Sequence, residues 1–182
     1  MELCGYRVSC DSDYNKINLN SKQIQRTNDF ESYLEYYKSE QPWIIGRCIK
    51  NQHWVFAIRF NDGKDISQQS HISFVNGICT FKGGKHVDYI TGQIVRKLCD
   101  YIEKKKKIKV NASAIKEQLI LFLRSDIENP AFDSQTKDYL NTPLAKFGST
   151  CSVSDKFIDK LAKQGIMDAA CEITNLKDNK AA

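Results

Sequence analysis

A chain of 182 residues, 41% hydrophobic and 27% charged, is long enough to bury one core without covalent staples. Its 27 Lys and Arg against 22 Asp and Glu leave a formal charge of +5, mildly basic, so any nucleic-acid contact has to come from a local patch. The longest apolar run, Leu119 to Leu123, is far too short to cross a bilayer, no basic-then-apolar leader opens the chain, and the seven cysteines form neither a Cys-x-x-Cys pair nor a zinc spacing. A soluble, intracellular protein with free thiols is expected, the cysteines acting as small buried hydrophobes, with no metal and no membrane partner.

No repeat, Pro-rich linker or Gly/Ser tract divides the sequence, so 1–182 reads as a single domain. Tyr6 to Val8 and Lys16 to Leu19 are predicted as short edge strands among polar residues. From Asp29 to Tyr37 the residues Phe30, Tyr33, Leu34 and Tyr37 recur at helical spacing, and Pro42 closes that segment. Trp43 to Lys50 and Trp54 to Phe60, rich in aromatic and β-branched residues, predict an antiparallel hairpin in which Trp54, Phe56, Ile58 and Phe60 share a face. Asn61-Asp62-Gly63 supplies turn chemistry, and His71 to Cys79 reads as a further strand broken at Asn76-Gly77. Up to this point the sheet is expected to be antiparallel.

After Gly83-Gly84 the period changes. Val87, Ile90, Ile94, Leu98 and Ile102 recur at three and four, predicting a long helix that runs into Lys104, Lys105, Lys106 and Lys107, with Lys109 just beyond. Gln118 to Arg124 is apolar in its middle, as a strand covered on both faces should be, and following a long helix it implies a β-α-β crossover. Ser152 with Asp155 predicts a capping box for a helix carrying Phe157, Ile158 and Leu161 and stopping at Gly165. From Ile166 a shorter helix fades into a polar tail. The fold class is therefore α/β in two layers, a mainly antiparallel sheet with helices on one face and one crossover.

Three features could carry chemistry. The loop from Glu128 to Lys137 is polar directly after a buried strand, a common place for function. Gln135 offers amide donors and Lys137 a compact cation two residues later, and an extended backbone there points both the same way, as a phosphate would need. Read alone, this loop is better taken as a surface loop with an ordinary lysine. The run Lys104–Lys107 with Lys109 is either a solvated helix end complementing the helix dipole or a patch for DNA phosphates without base specificity. Gly83-Gly84-Lys85 lacks both the spacer and the hydroxyl of a Walker phosphate loop. His86 reads as a buried or hydrogen-bonded residue at a helix start, since no nucleophile or partner carboxylate is identifiable from spacing.

The segment Glu128 to Lys137 resembles, nearly residue for residue, the loop ending in Gln-Thr-Lys in the transducer region of type IIA DNA topoisomerases. Ser73 to Thr80 with Gly83 to Tyr89 is similar to the strand, loop and helix before that loop, and Phe147 to Cys151 with Ser154 to Phe157 to the segment after it. The resemblance is dense from His71 to Phe157, with Ala131 where the family has threonine. It implies a ribosomal-protein-like transducer fold whose crossover is left-handed, against the general rule. It also implies that Lys137 contacts the γ-phosphate of ATP, that Gln135 and Thr136 accompany it, and that ATP with Mg2+ is held mainly by a nucleotide-binding domain upstream.

The same resemblance makes residues 165–182 a lead towards a DNA-cleavage core, double-stranded DNA a partner of Lys104, Lys105, Lys106, Lys107 and Lys109, and the complete enzyme a homodimeric ATP-hydrolysing isomerase. On this reading the chain is a fragment, inactive by itself, from a nucleus if eukaryotic or a host nucleus or cytoplasm if viral. The competing expectation is a free-standing, nonspecific nucleic-acid binding module that uses the lysine run with nearby aromatics such as Tyr101.

Overall fold

The computed structural model describes residues 8–10, 17–19, 22–24, 30–37, 41–48, 53–61 and 70–172. Two compact units, Met1–Lys38 and Ser39–Ala182, are each described by themselves. In the first, β1 (Val8–Cys10), β2 (Ile17–Leu19) and β3 (Lys22–Ile24) form an antiparallel sheet. Helix α1 (Phe30–Leu34) continues as a 3-10 turn over Glu35–Tyr37 and buries Leu34. Tyr6 and Lys16 lie outside the described residues, as do Lys50, Asp62, Gly63 and the tail after Glu172.

The second unit is built on a five-stranded sheet. Strands β4 (Ile44–Arg47) and β5 (Trp54–Phe60) form the expected hairpin, Ile44 opposite Ile58. Next to β5 comes β9 (Leu119–Ser125), antiparallel, then β6 (His71–Val75) and β7 (Ile78–Cys79). The strands as far as Cys79 alternate in direction as expected, and β6 lies parallel to β9, Ser73 opposite Leu123, as the expected β-α-β crossover requires; what differs is that β9 separates β6 from β5. Strand β9 is apolar at nearly every position and takes the central place, where both of its faces are covered. Between β7 and the long helix, β8 (Gly83–Gly84) pairs in parallel with β10 (Tyr139–Leu140).

Helix α2 (Lys85–Lys106) and the short α3 (Ala112–Glu117) make the crossover from β6 to β9. The stripe Val87, Ile90, Ile94, Leu98 and Ile102 packs with Trp54, Phe56, Ile58, Leu121 and Leu123 in one core. Helix α4 (Asp155–Leu161) joins the same face, its Phe157 edge-on to Phe56 with ring centres 5.1 Å apart. On the other face of the sheet Phe122 meets Trp43 and Phe74, and Arg59 stacks on Trp43 at 4.7 Å. Helix α3 was not expected because six residues show no period; its one local sign is Asn111, whose side chain accepts from the Ser113 N–H.

The cap of α4 also differs from expectation. Lys97 donates to the Val153 carbonyl at 2.6 Å and the Val153 N–H donates to Gln93, which holds Ser152 and Val153 outside the helix. The helix therefore starts two residues later, capped by Ser154, whose hydroxyl accepts from the Phe157 N–H. Asp155 stands in the first turn and bonds Lys97 at 2.7 Å instead of closing a capping box. The expected stop does hold: Gly165, with a non-helical φ of 92°, breaks the helical path, and a second short helical stretch follows it as far as Glu172.

Candidate functional site

The polar loop leaves β9 under tight control. Asn76, in the β6–β7 turn with φ 49°, donates from its amide to the Ile127 carbonyl at 2.9 Å and accepts from the Ile127 N–H at 2.8 Å. An asparagine tolerates this left-handed geometry and its short amide reaches neighbouring backbone, so turn and loop are fixed by one residue. Further along, the Thr142 hydroxyl accepts from the Ala131 N–H at 2.7 Å, and the Asn141 N–H donates to the Ala131 carbonyl at 2.8 Å. Phe132 bridges Leu140, and the Asp133 N–H donates to the Tyr139 carbonyl. The loop doubles back on itself as a narrow arm.

At the tip, the Lys137 N–H donates to the Ser134 carbonyl at 3.1 Å and Lys137 itself has φ 59°. The expectation of an extended backbone from Gln135 to Lys137 is thus corrected: the arm closes in a tight turn, because hydroxyls and a carboxylate are at hand to hold one. Thr136 donates to Asp138 at 2.8 Å, and its hydroxyl lies 2.7 Å from that of Ser134. Gln135, Thr136 and Lys137 are all exposed at this tip. The Lys137 ammonium lies 5.9 Å from the centre of the Phe132 ring, a weak contact at an exposed site, and among the described residues it has no ion pair.

The arm is anchored to the start of α2. Beyond the β8–β10 pair, the Lys82 N–H donates to the Asp138 carbonyl at 2.9 Å, the Lys82 ammonium stands 3.8 Å from the Asp138 carboxylate, and Lys85 donates to the Asn141 carbonyl at 2.9 Å. Sequence reading missed Lys82, Asp138, Asn141 and Thr142. Only Asn76, noted as a turn residue, carried a signal.

The lysine run sits at the other end of α2. A helix of 22 residues rises about 1.5 Å per residue, so α2 spans roughly 33 Å between the end that anchors the arm and the end that carries the lysines. Lys104, Lys105 and Lys106 are in the last helical turn, Lys107 has φ 59° and donates its N–H to the Glu103 carbonyl, and Lys109 comes two residues later; all five are exposed. Lys106 pairs with Asp168, whose hydrogen bond pushes the lysine pKa up, and Lys105 stands over Tyr101 at 5.8 Å. The run is a helix end with one ammonium engaged.

His86 is fully buried; its Nε2 lies 3.2 Å from the Thr80 hydroxyl, which contacts Ser73 at 2.6 Å. Burial, and after it repulsion from His71, holds its pKa down at about 3, so it stays neutral and structural, as its place at the helix start suggests. No described cluster of His, Cys, Asp and Glu could hold a metal ion, and no described helix is long and apolar enough to cross a membrane.

Known proteins are similar to this chain in sequence and in architecture. The profile of the DNA gyrase B family matches residues 13–181. The chain is 39% identical over 170 residues to DNA topoisomerase 2 of Acanthamoeba polyphaga mimivirus, covering 92% of this chain and 13% of that protein. It is 36% identical over 175 residues to DNA topoisomerase 2 of Arabidopsis thaliana, covering 91% and 11%. The solved ATPase region of Saccharomyces cerevisiae topoisomerase II superposes with a TM-score of 0.74 at 37% identity, covering 86% of this chain and 39% of that one. The chain thus spans 11–13% of these full-length relatives.

Proposed function

The chain belongs to the DNA gyrase B family, and within it we propose that it is the transducer module of an ATP-dependent type II DNA topoisomerase. The observation that carries the reading is the anchored arm, whose tip presents an exposed ammonium and an exposed amide with no ion pair of their own among the described residues. These donors fit a phosphate: Lys137 would hold the terminal phosphate of ATP and Gln135 would assist, while Thr136 is committed to shaping the turn. ATP, with Mg2+, would be bound mainly by a nucleotide-binding domain outside these residues and supplies the free energy of a phosphoanhydride.

A charge-assisted hydrogen bond contributes about 1.5–3 kcal/mol, so Lys137 and Gln135 together would favour the ATP-bound arrangement by roughly 3–5 kcal/mol. Throwing a two-state switch fully takes about 5.5 kcal/mol, so closure of a homodimeric gate must supply the remainder. Because the arm is tied through β8–β10 to the start of α2, release of the phosphate would be felt along that helix as a rigid-body movement, passing the signal to a cleavage core. The exposed lysines at its far end would meet double-stranded DNA by charge alone.

The test is a chimera in which this chain replaces the matching part of the yeast ATPase region. Lys137→Ala should slow ATP hydrolysis by roughly 10- to 100-fold, the rate equivalent of one charge-assisted bond, with DNA binding nearly unchanged. Unchanged turnover would remove the phosphate-sensing role.

A further inference from the structure

Two cysteines that play no part in phosphate sensing stand side by side. Cys48 directly follows β4, and its N–H donates to the Trp54 carbonyl at 3.1 Å, which fixes its backbone in the hairpin. Cys151 lies in the segment leading to α4 and is equally fixed: Tyr89 donates to its carbonyl at 2.7 Å and accepts from its N–H at 3.1 Å, and Gln93 adds a third bond at 3.0 Å. The Cys48 thiol donates to the carbonyl of Thr150, the residue directly before Cys151, at 3.4 Å, which seats its sulfur against the backbone that carries Cys151. Both are reduced. Cys48 is half-exposed and Cys151 buried, so one sulfur is open to a reagent and the other waits behind it.

We propose that Cys48 and Cys151 are a thiol–disulfide site, in which a small disulfide of the glutathione type converts the pair into an intrachain bond tying the β4–β5 hairpin to the segment before α4. The Cys48 thiolate attacks one sulfur of oxidised glutathione, forming a mixed disulfide and releasing one glutathione thiolate. Cys151 then loses its proton to solvent and attacks the Cys48 sulfur, and the second glutathione leaves as thiolate. Two protein thiols and one glutathione disulfide become one protein disulfide and two glutathione thiols. A Cys48 sulfur held against the carbonyl that precedes Cys151 brings the two side chains within reach of such a bond.

The order of attack comes from the surroundings. Burial, and next the charge and hydrogen bond of Cys48, push the Cys151 thiol up to about 12, so Cys48 reacts first. The new bond closes a long stretch of chain, the arrangement in which a cross-link most restricts the unfolded state. It also braces the segment from Phe147 to Cys151, whose Phe147 carbonyl accepts from the Glu128 N–H at the root of the arm. The site is independent of phosphate sensing by Lys137.

The experiment uses the 182-residue chain in glutathione buffers of rising oxidised fraction, quenched by alkylation and mapped by mass spectrometry without reduction. A peptide cross-linked between Cys48 and Cys151 should appear before any other pair, with a rise in thermal midpoint. Cys48→Ser should abolish both. Cys151→Ala, which keeps the buried site apolar, should leave Cys48 trapped as its mixed disulfide with glutathione. The proposal is overturned if wild-type Cys48 stops at the mixed disulfide, if other cysteines pair first, or if the midpoint does not rise.

Discussion

Gly84 is where the arm and the long helix touch most closely, and adding one methyl group there tests that seam. A Cβ at Gly84 would stand 2.6 Å from both the backbone nitrogen and the carbonyl oxygen of Leu140, distances that real Cβ atoms do not show. The residue also has φ 144° and ψ −174°, a region that only glycine enters without strain of about 1–3 kcal/mol. Relief requires β8 and β10 to part, breaking backbone hydrogen bonds at roughly 0.5–1.5 kcal/mol each. Gly84→Ala should therefore cost about 2–5 kcal/mol, a large share of the ~5–15 kcal/mol typical of a domain.

Gly92 is the control within the same helix. It is exposed, nothing lies within 4 Å of its would-be Cβ, and alanine there should stabilise by about 0.5–1 kcal/mol. Urea unfolding of both variants measures the global cost, and limited proteolysis across residues 133–141 detects the arm coming loose without global unfolding. If Gly84→Ala shifts neither the unfolding midpoint nor the cleavage rate, the β8–β10 seam is not what holds the arm.

Other perturbations probe the rest of the molecule. Asn76→Ala removes both side-chain bonds to Ile127 and places alanine at a positive φ, and should destabilise by about 2–3 kcal/mol in urea while exposing the arm to protease. His86, held at about 3 against an ordinary value of 6.5, stays neutral in the folded chain while the unfolded chain binds a proton below pH 6.5. Its contribution is present above that pH and lost as pH falls towards 3, so roughly 2 kcal/mol should vanish between pH 7 and pH 5, and His86→Gln should flatten the profile. His71, also shifted down by burial, acts in the same direction. Replacing Lys104, Lys105 and Lys107 by glutamine should reduce the salt slope of DNA binding by about 0.9 for each phosphate no longer neutralised; an unchanged slope assigns those lysines to solvent.

Much of this architecture was written locally. The stripe from Val87 to Ile102 and the alternation from Trp54 to Phe60 specify a helix and a strand because each period puts apolar groups on one side wherever the element finally lies. The Gln135-Thr136-Lys137 stretch stood out as a candidate site through its resemblance to the type IIA topoisomerase loop, since its residues alone favour an ordinary surface loop. Strand order was not legible: that β9 enters between β5 and β6, parallel to one and antiparallel to the other, depends on where its doubly apolar surface finds cover. Nor could local pattern reveal the two-residue strands β8 and β10, which exist only because Gly84 lets Leu140 approach. The turn at Lys137, the engagement of Lys106 by Asp168 and the contact of Cys48 with the Thr150 carbonyl join residues through packing, and packing is settled by the whole core at once.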